Sequence, residues 1–125
     1  YSIIFEQIKK SNMSGSFITL AAAKEMTARF KENLSDMLTT DYQDSLPYSE
    51  TFDADKIQAV LNQTGCVQFR GYLGMKEDKS VCMIFVGVDA TGEDIVGLLN
   101  EADEPTDVIV EDGDRCPIYC PINPL

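Results

Sequence analysis

The chain has 125 residues, 44% of them hydrophobic, with 21 acids against 10 bases and a net charge of −11, which describes one folded domain of ordinary size. No apolar run approaches the roughly 20 residues of a membrane-spanning helix, and an acidic surface repels nucleic-acid backbone and anionic lipid, so neither is an expected partner. Histidine is absent, which removes the commonest general base, the commonest metal ligand and the usual triad partner.

The first residues, "YSIIFEQIKK", carry apolar side chains at 3, 4, 5 and 8, the pattern of a short amphipathic helix peripheral to the domain. They lack a basic region followed by an apolar stretch and a small-residue cleavage site, so they are not read as a signal peptide, and the compartment stays open. "TLAAAKEMTARFKENLSDML" is the clearest helix: Thr19 is placed to cap it, and Leu20, Ala23, Met26, Phe30, Leu34 and Leu38 recur at spacings of three and four. "TTDYQDSLPYSE" is polar and reads as a loop. Phe52 is expected to open a short strand, and Asp53 is the expected cap of a second helix, "ADKIQAVLNQ", burying Ile57, Val60 and Leu61 and ending before Gly65.

After Gly65 the period changes from helix to strand. "CVQFRGYLG" and "SVCMIFVGV" flank the turn-like "MKEDK", and an even-numbered loop pairs Leu73 with Cys82 and Val67 with Val88. One face then holds Val67, Phe69, Gly71, Leu73, Cys82, Ile84, Val86 and Val88, all apolar; the other is mixed. "DATGED" is a second turn, with Gly92 available for a positive φ. "IVGLLN" is expected to return antiparallel, with Ile95, Gly97 and Leu99 on the apolar face, and "DVIVEDGD" to add a fourth strand. The fold class is therefore α+β: N-terminal helices on one apolar face of a three- to four-stranded antiparallel meander, followed by a Cys/Pro-rich tail, in a single domain spanning residues 1–125.

Four cysteines carry the chemistry still open. In this register Cys66 and Cys82 lie about seven residues apart along the sheet, over ~20 Å, far beyond the ~6 Å of a disulfide. Cys82 is read as a small buried hydrophobe. Cys116 and Cys120, each followed by proline, fit a disulfide that staples the tail; a bond from the tail to Cys66, free structural thiols, and a metal site using Cys116, Cys120 and Cys66 are the other readings. A catalytic dithiol is the weakest, since the usual redox motif is C-x-x-C at a helix start.

Paired carboxylates are not excluded by residue type, but nothing singles out one pair. The phosphate-binding pattern G-x-x-x-x-G-K is missing, and "DATGED" departs from calcium-loop spacing. Between Asp89 and Asp114 there are ten acids and no base, a tract suited to a basic protein surface or a cation; acids also simply keep small proteins soluble. On the mixed face of the hairpin, Arg70, Tyr72 and Phe85, with Met83, form the best candidate contact patch.

The segments "ITLAAAKEMTARF", "FDADKIQAVLNQTGCVQFRGYLGM", "VGVDATGEDI" and "RCPIYCP", in this order, resemble a family of small uncharacterised bacterial proteins, chiefly of Bacteroidetes type. The likeness runs from about Phe17 to the end. It implies that helix, helix, hairpin and Cys tail form one unit, and it carries over no catalytic residue, cofactor or partner.

The leading expectation is a non-enzymatic acidic interaction domain, without a cofactor, compatible with oligomerisation. Its rivals are a metal or redox protein built on Cys116 and Cys120, and a small carboxylate-dependent enzyme with an acid of raised pKa.

Overall fold

In a computed structural model of the chain, residues 14–97 and 107–125 are described; the short helix expected near residues 3–8 and the Leu99 end of the third strand lie outside them. The fold is α+β, with two α-helices and two antiparallel ladders of two strands each among the described residues.

Helix α1 covers Leu20–Met37. Its start is set as expected by Thr19, whose hydroxyl accepts the Ala22 N–H at 3.0 Å, satisfying one of the donors a helix start leaves open. The stripe does not pack as expected, however. None of the helix's residues is buried, and Leu20 and Met26 are about 60% and 58% exposed. Among the described residues its C-terminal half meets the rest of the fold: Phe30 borders an apolar hollow with Leu73, Cys82 and Met83, and the Lys31 ammonium sits 4.9 Å above the Tyr48 ring.

The polar loop that follows contains a short 3-10 turn at Thr40–Tyr42 and strand β1, Ser49–Thr51. The strand thus ends just before Phe52. Helix α2, Ala54–Leu61, begins after Asp53, which caps it by backbone alone: its carbonyl accepts the N–H groups of Lys56 and Ile57, and its side chain makes no capping bond. Val60 is 1% exposed, Ile57 half-buried and Leu61 exposed.

Strands β2, Gln68–Met75, and β3, Val81–Val88, form the central hairpin. The register differs from the expected one by a single residue: Leu73 lies opposite Met83 and Gly74 opposite Cys82. The cause is the parity of the turn. Lys76 N–H donates to Ser80 C=O and Lys79 N–H to Lys76 C=O, both at 2.9 Å, with Lys79 at φ 73°, so the loop proper has three residues and ends in a left-handed one. Asp78 secures it by accepting from the Ser80 N–H and hydroxyl. Because side chains alternate, the slip sends the β2 residues to opposite faces. Gln68, Arg70, Tyr72 and Gly74 share a face with Cys82, Ile84, Val86 and Val88, while Phe69 and Leu73, expected inside, are 51% and 74% exposed.

Strand β3 is the centre of the core. Cys82, Val86 and Val88 are buried on it, joined by Val60, Ile95, Val110 and Cys116. Its edge away from β2 is covered piecewise. Val81 N–H donates to Ser45 C=O, Met83 N–H to the Glu50 carboxylate, and Asp89 N–H to Glu93 C=O; Gly87 C=O accepts Ile95 N–H, and Phe85 exchanges two bonds with Val110. Among the described residues the expected third and fourth strands are represented by single bridges, Val88–Asp94 and Phe85–Val110. The chain then returns as β4, Asp114–Cys116, pairing with β1 rather than extending the hairpin sheet.

Candidate functional site

The structure divides the expected contact patch. Arg70 and Tyr72 point to the same side of β2, where both hold Asp94: Arg70 Nη1 donates to Oδ1 and the Tyr72 hydroxyl to Oδ2. Arg70 Nη2 also reaches the Gly92 carbonyl at 3.2 Å. Phe85 faces the other way, edge-on to Phe52 at 5.1 Å and tilted against Phe69 at 5.7 Å, so it belongs to packing beside α2 and not to this cluster. The "DATGED" turn is organised by Asp89, whose Oδ1 accepts from the Thr91 N–H, the Thr91 hydroxyl and the Glu93 N–H; the Thr91 hydroxyl, followed by the Glu93 amide, holds this carboxyl below its usual pKa.

The cysteines fall into two groups. Cys116 and Cys120 are bonded to each other, with Cα atoms 4.7 Å apart. Cys66 and Cys82 are free. Cys82 is buried, as expected of a small hydrophobe. The half-buried Cys66 thiol donates to the Gln68 carbonyl at 3.1 Å and packs over Gly87, where a Cβ would stand only 3.0 Å from its sulfur. Among the described residues no three Cys, Asp or Glu side chains come together as metal ligands.

The tail is anchored from its base. β4 pairs with β1 in the register Ser49–Cys116, Glu50–Arg115 and Thr51–Asp114, and Tyr48 N–H donates to the Cys116 carbonyl at 2.7 Å. Arg115 and Glu50, opposite in that ladder, do not pair. The guanidinium donates to the Val81 and Ser45 carbonyls, whereas Glu50 Oε1 accepts the Met83 N–H at 2.6 Å. Both side chains therefore bind the small ladder to β3. Beyond it the disulfide ring folds back on itself, Tyr119 N–H donating to Arg115 C=O at 2.8 Å and Cys120 N–H to Ile118 C=O at 3.0 Å. The ring leaves Ile118 80% and Tyr119 63% exposed.

Beside the tail, the β1–α2 junction and residues 109–114 enclose a hollow of about 300 Å³, bordered by Asp53, Lys56, Glu111, Asp112 and Asp114. Asp112 is engaged by Lys76, whose ammonium donates to it at 2.7 Å; this bond lowers the Asp112 pKa and raises that of Lys76. Asp53, Glu111 and Asp114 are exposed. Gly113 allows this turn to close: a Cβ there would stand 2.6 Å from the Phe52 ring.

The acidic tract was thus visible in the sequence, while the apolar pair at Ile118 and Tyr119 and the half-buried anchor Glu50 were not. The spacing of Cys116 and Cys120 around Ile118 and Tyr119 was the signal available for the first. Comparison with protein-family models, with curated proteins and with solved structures gives no match to this chain.

Proposed function

We propose that this chain is a non-enzymatic interaction domain that docks on a basic protein surface, inserting Ile118 and Tyr119 into an apolar hollow whose rim carries Lys or Arg. One observation carries this reading: the Cys116–Cys120 ring holds two large apolar side chains in water beside exposed Glu111 and Asp114. Side chains fixed before binding lose less entropy on binding, so a clamped Ile–Tyr pair is an efficient anchor. The flanking acids add orientation and a faster encounter with a cationic partner. We also propose, on its sequence segments alone, that the chain belongs to the bacterial family they resemble.

Two observations weigh against the rivals. A disulfide between Cys116 and Cys120 withdraws the two best thiolate ligands from a metal site. Among the described residues the carboxyls displaced from their ordinary pKa, Asp78, Asp89 and Asp112, are all lowered, opposite to the direction a general acid requires.

The test is affinity capture from the source cells with the immobilised chain, run at low salt and at about 1 M salt, where the Debye length falls to about 3 Å. The expected result is a Lys/Arg-rich protein retained at low salt, released at high salt, and lost from the Ile118→Ala/Tyr119→Ala double variant. Retention unaffected by both salt and that variant contradicts the reading.

A further inference from the structure

We propose that β2 is a self-pairing edge: two copies of the chain join their β2 strands antiparallel about a two-fold axis at Gly71, giving a continuous four-stranded sheet. The alternation of backbone groups shows the edge. On β3 the groups of Val81, Phe85 and Gly87 point away from β2, to Ser45, Val110 and Ile95. The even-numbered β3 residues therefore face β2, and by the register so do Gln68, Arg70, Tyr72 and Gly74. The backbone groups of Phe69, Gly71 and Leu73 then point outward, and among the described residues none of them has a backbone partner there. Such a row templates another strand.

The side chains select the occupant and the register. With the axis at Gly71, Phe69 of each copy lies opposite Leu73 of the other and Met75 opposite Val67, and these four are the exposed apolar residues of that face. On the opposite face Arg70 lies across from Tyr72 of the second copy, in the closely approaching type of antiparallel pair. Both side chains lean inward over β3 to Asp94 of their own copy, which stands on the edge of β3 away from β2, so each guanidinium keeps its carboxylate and no like charges are set opposite each other at the seam. Moving the axis to Arg70 would set the two guanidinium groups against each other, and moving it to Tyr72 would set Arg70 against Gly74. Charge points the same way on the scale of the molecule. The chain carries −11, yet Gly65–Met75 contains one base and no acid, so two copies can approach through β2 without opposing their acids.

This dimer is independent of the tail surface. It is tested by sedimentation velocity on the full, oxidised chain at micromolar concentration, with Phe69→Glu, Leu73→Lys and the double variant. Each single substitution repeats twice across the axis and should weaken dimerisation roughly tenfold or more. The double variant should restore it, because each new carboxylate then faces a new ammonium across the axis, whereas within one strand the two positions lie about 13 Å apart. Both side chains are more than half exposed, and circular dichroism checks that each variant folds. A monomeric parent chain, a dimer indifferent to either single substitution, or a double variant no better than the singles each overturns the proposal. A monomer whose Phe69, Gly71 and Leu73 amides exchange slowly with deuterium also overturns it, and assigns the edge to the residues preceding Ser14, which borders Phe69 and Gly71.

Discussion

Glu50 holds the backbone of Met83 through one carboxylate oxygen at 2.6 Å, while its other oxygen is buried with no partner among the described residues. An acid from a three-residue strand thereby takes the place of a neighbouring strand on the edge of β3. Removing it leaves the Met83 N–H without its acceptor, so Glu50→Ala should destabilise by about 1–3 kcal/mol. Glu50→Gln keeps a carbonyl acceptor for the Met83 N–H, so it should cost clearly less than Glu50→Ala. Urea unfolding of the two variants against the parent gives both values.

Gly113 is a second point where small changes should be costly. A methyl group there would stand 2.6–2.9 Å from three atoms of the Phe52 ring, and that ring packs edge-on against Phe85. Gly113→Ala must displace the ring or the turn, an overpacking cost of about 1–3 kcal/mol. Thermal unfolding should show a clearly lowered Tm, and an unchanged Tm would mean that the turn gives way freely.

These two residues also mark where the sequence stopped being readable. Thr19 and α1 followed from capping and periodicity, which are local. The hairpin followed from alternation, but its register hung on one left-handed residue. That residue is Lys79, where glycine or asparagine would have signalled a three-residue turn. One slipped position then moved Phe69 and Leu73 outward and placed Arg70 and Tyr72 with the buried β3 residues. The same slip separated Phe85 from Arg70 and Tyr72, with which the expected register had placed it on one face. Cys116 and Cys120 were singled out by spacing and proline, which favoured a disulfide without excluding free thiols or a metal site. Glu50 gave no signal at all, since its role depends on where β3 passes.

The thiols should separate cleanly by reactivity. Cys66 is half-buried and Cys82 4% exposed, so native alkylation should label Cys66 first and Cys82 only after unfolding. Intact mass should fall two protons short of four free thiols, and reduction should expose Cys116 and Cys120. A five-residue ring constrains the unfolded chain only weakly, so the Cys120→Ser variant should lose no more than about 2 kcal/mol.

Acid should destabilise the protein through three identified carboxyls. Asp78 is held below its ordinary pKa first by the Ser80 hydroxyl, Asp89 by that of Thr91, and Asp112 by Lys76. A carboxyl lowered in the folded state contributes stability that is present above its unfolded pKa, near 4, and is lost as pH falls through the folded value. Stability should therefore decline below about pH 4, and Asp89→Asn should flatten that decline. Carboxyl NMR titration of Asp89 checks the direction; a midpoint above the ordinary value would reverse the argument.

The central claim, that the disulfide ring presents Ile118 and Tyr119 to a basic partner, is tested most directly by a photo-crosslinking residue at position 119. The chain is irradiated in extract of its source cells, oxidised and reduced, with the same probe at exposed Glu77 as control. The account predicts an adduct with one Lys/Arg-rich protein from position 119 alone, abolished at about 1 M salt and strongly reduced when the disulfide is opened. Equal adducts from both positions, or an adduct unchanged by salt and by reduction, would contradict it.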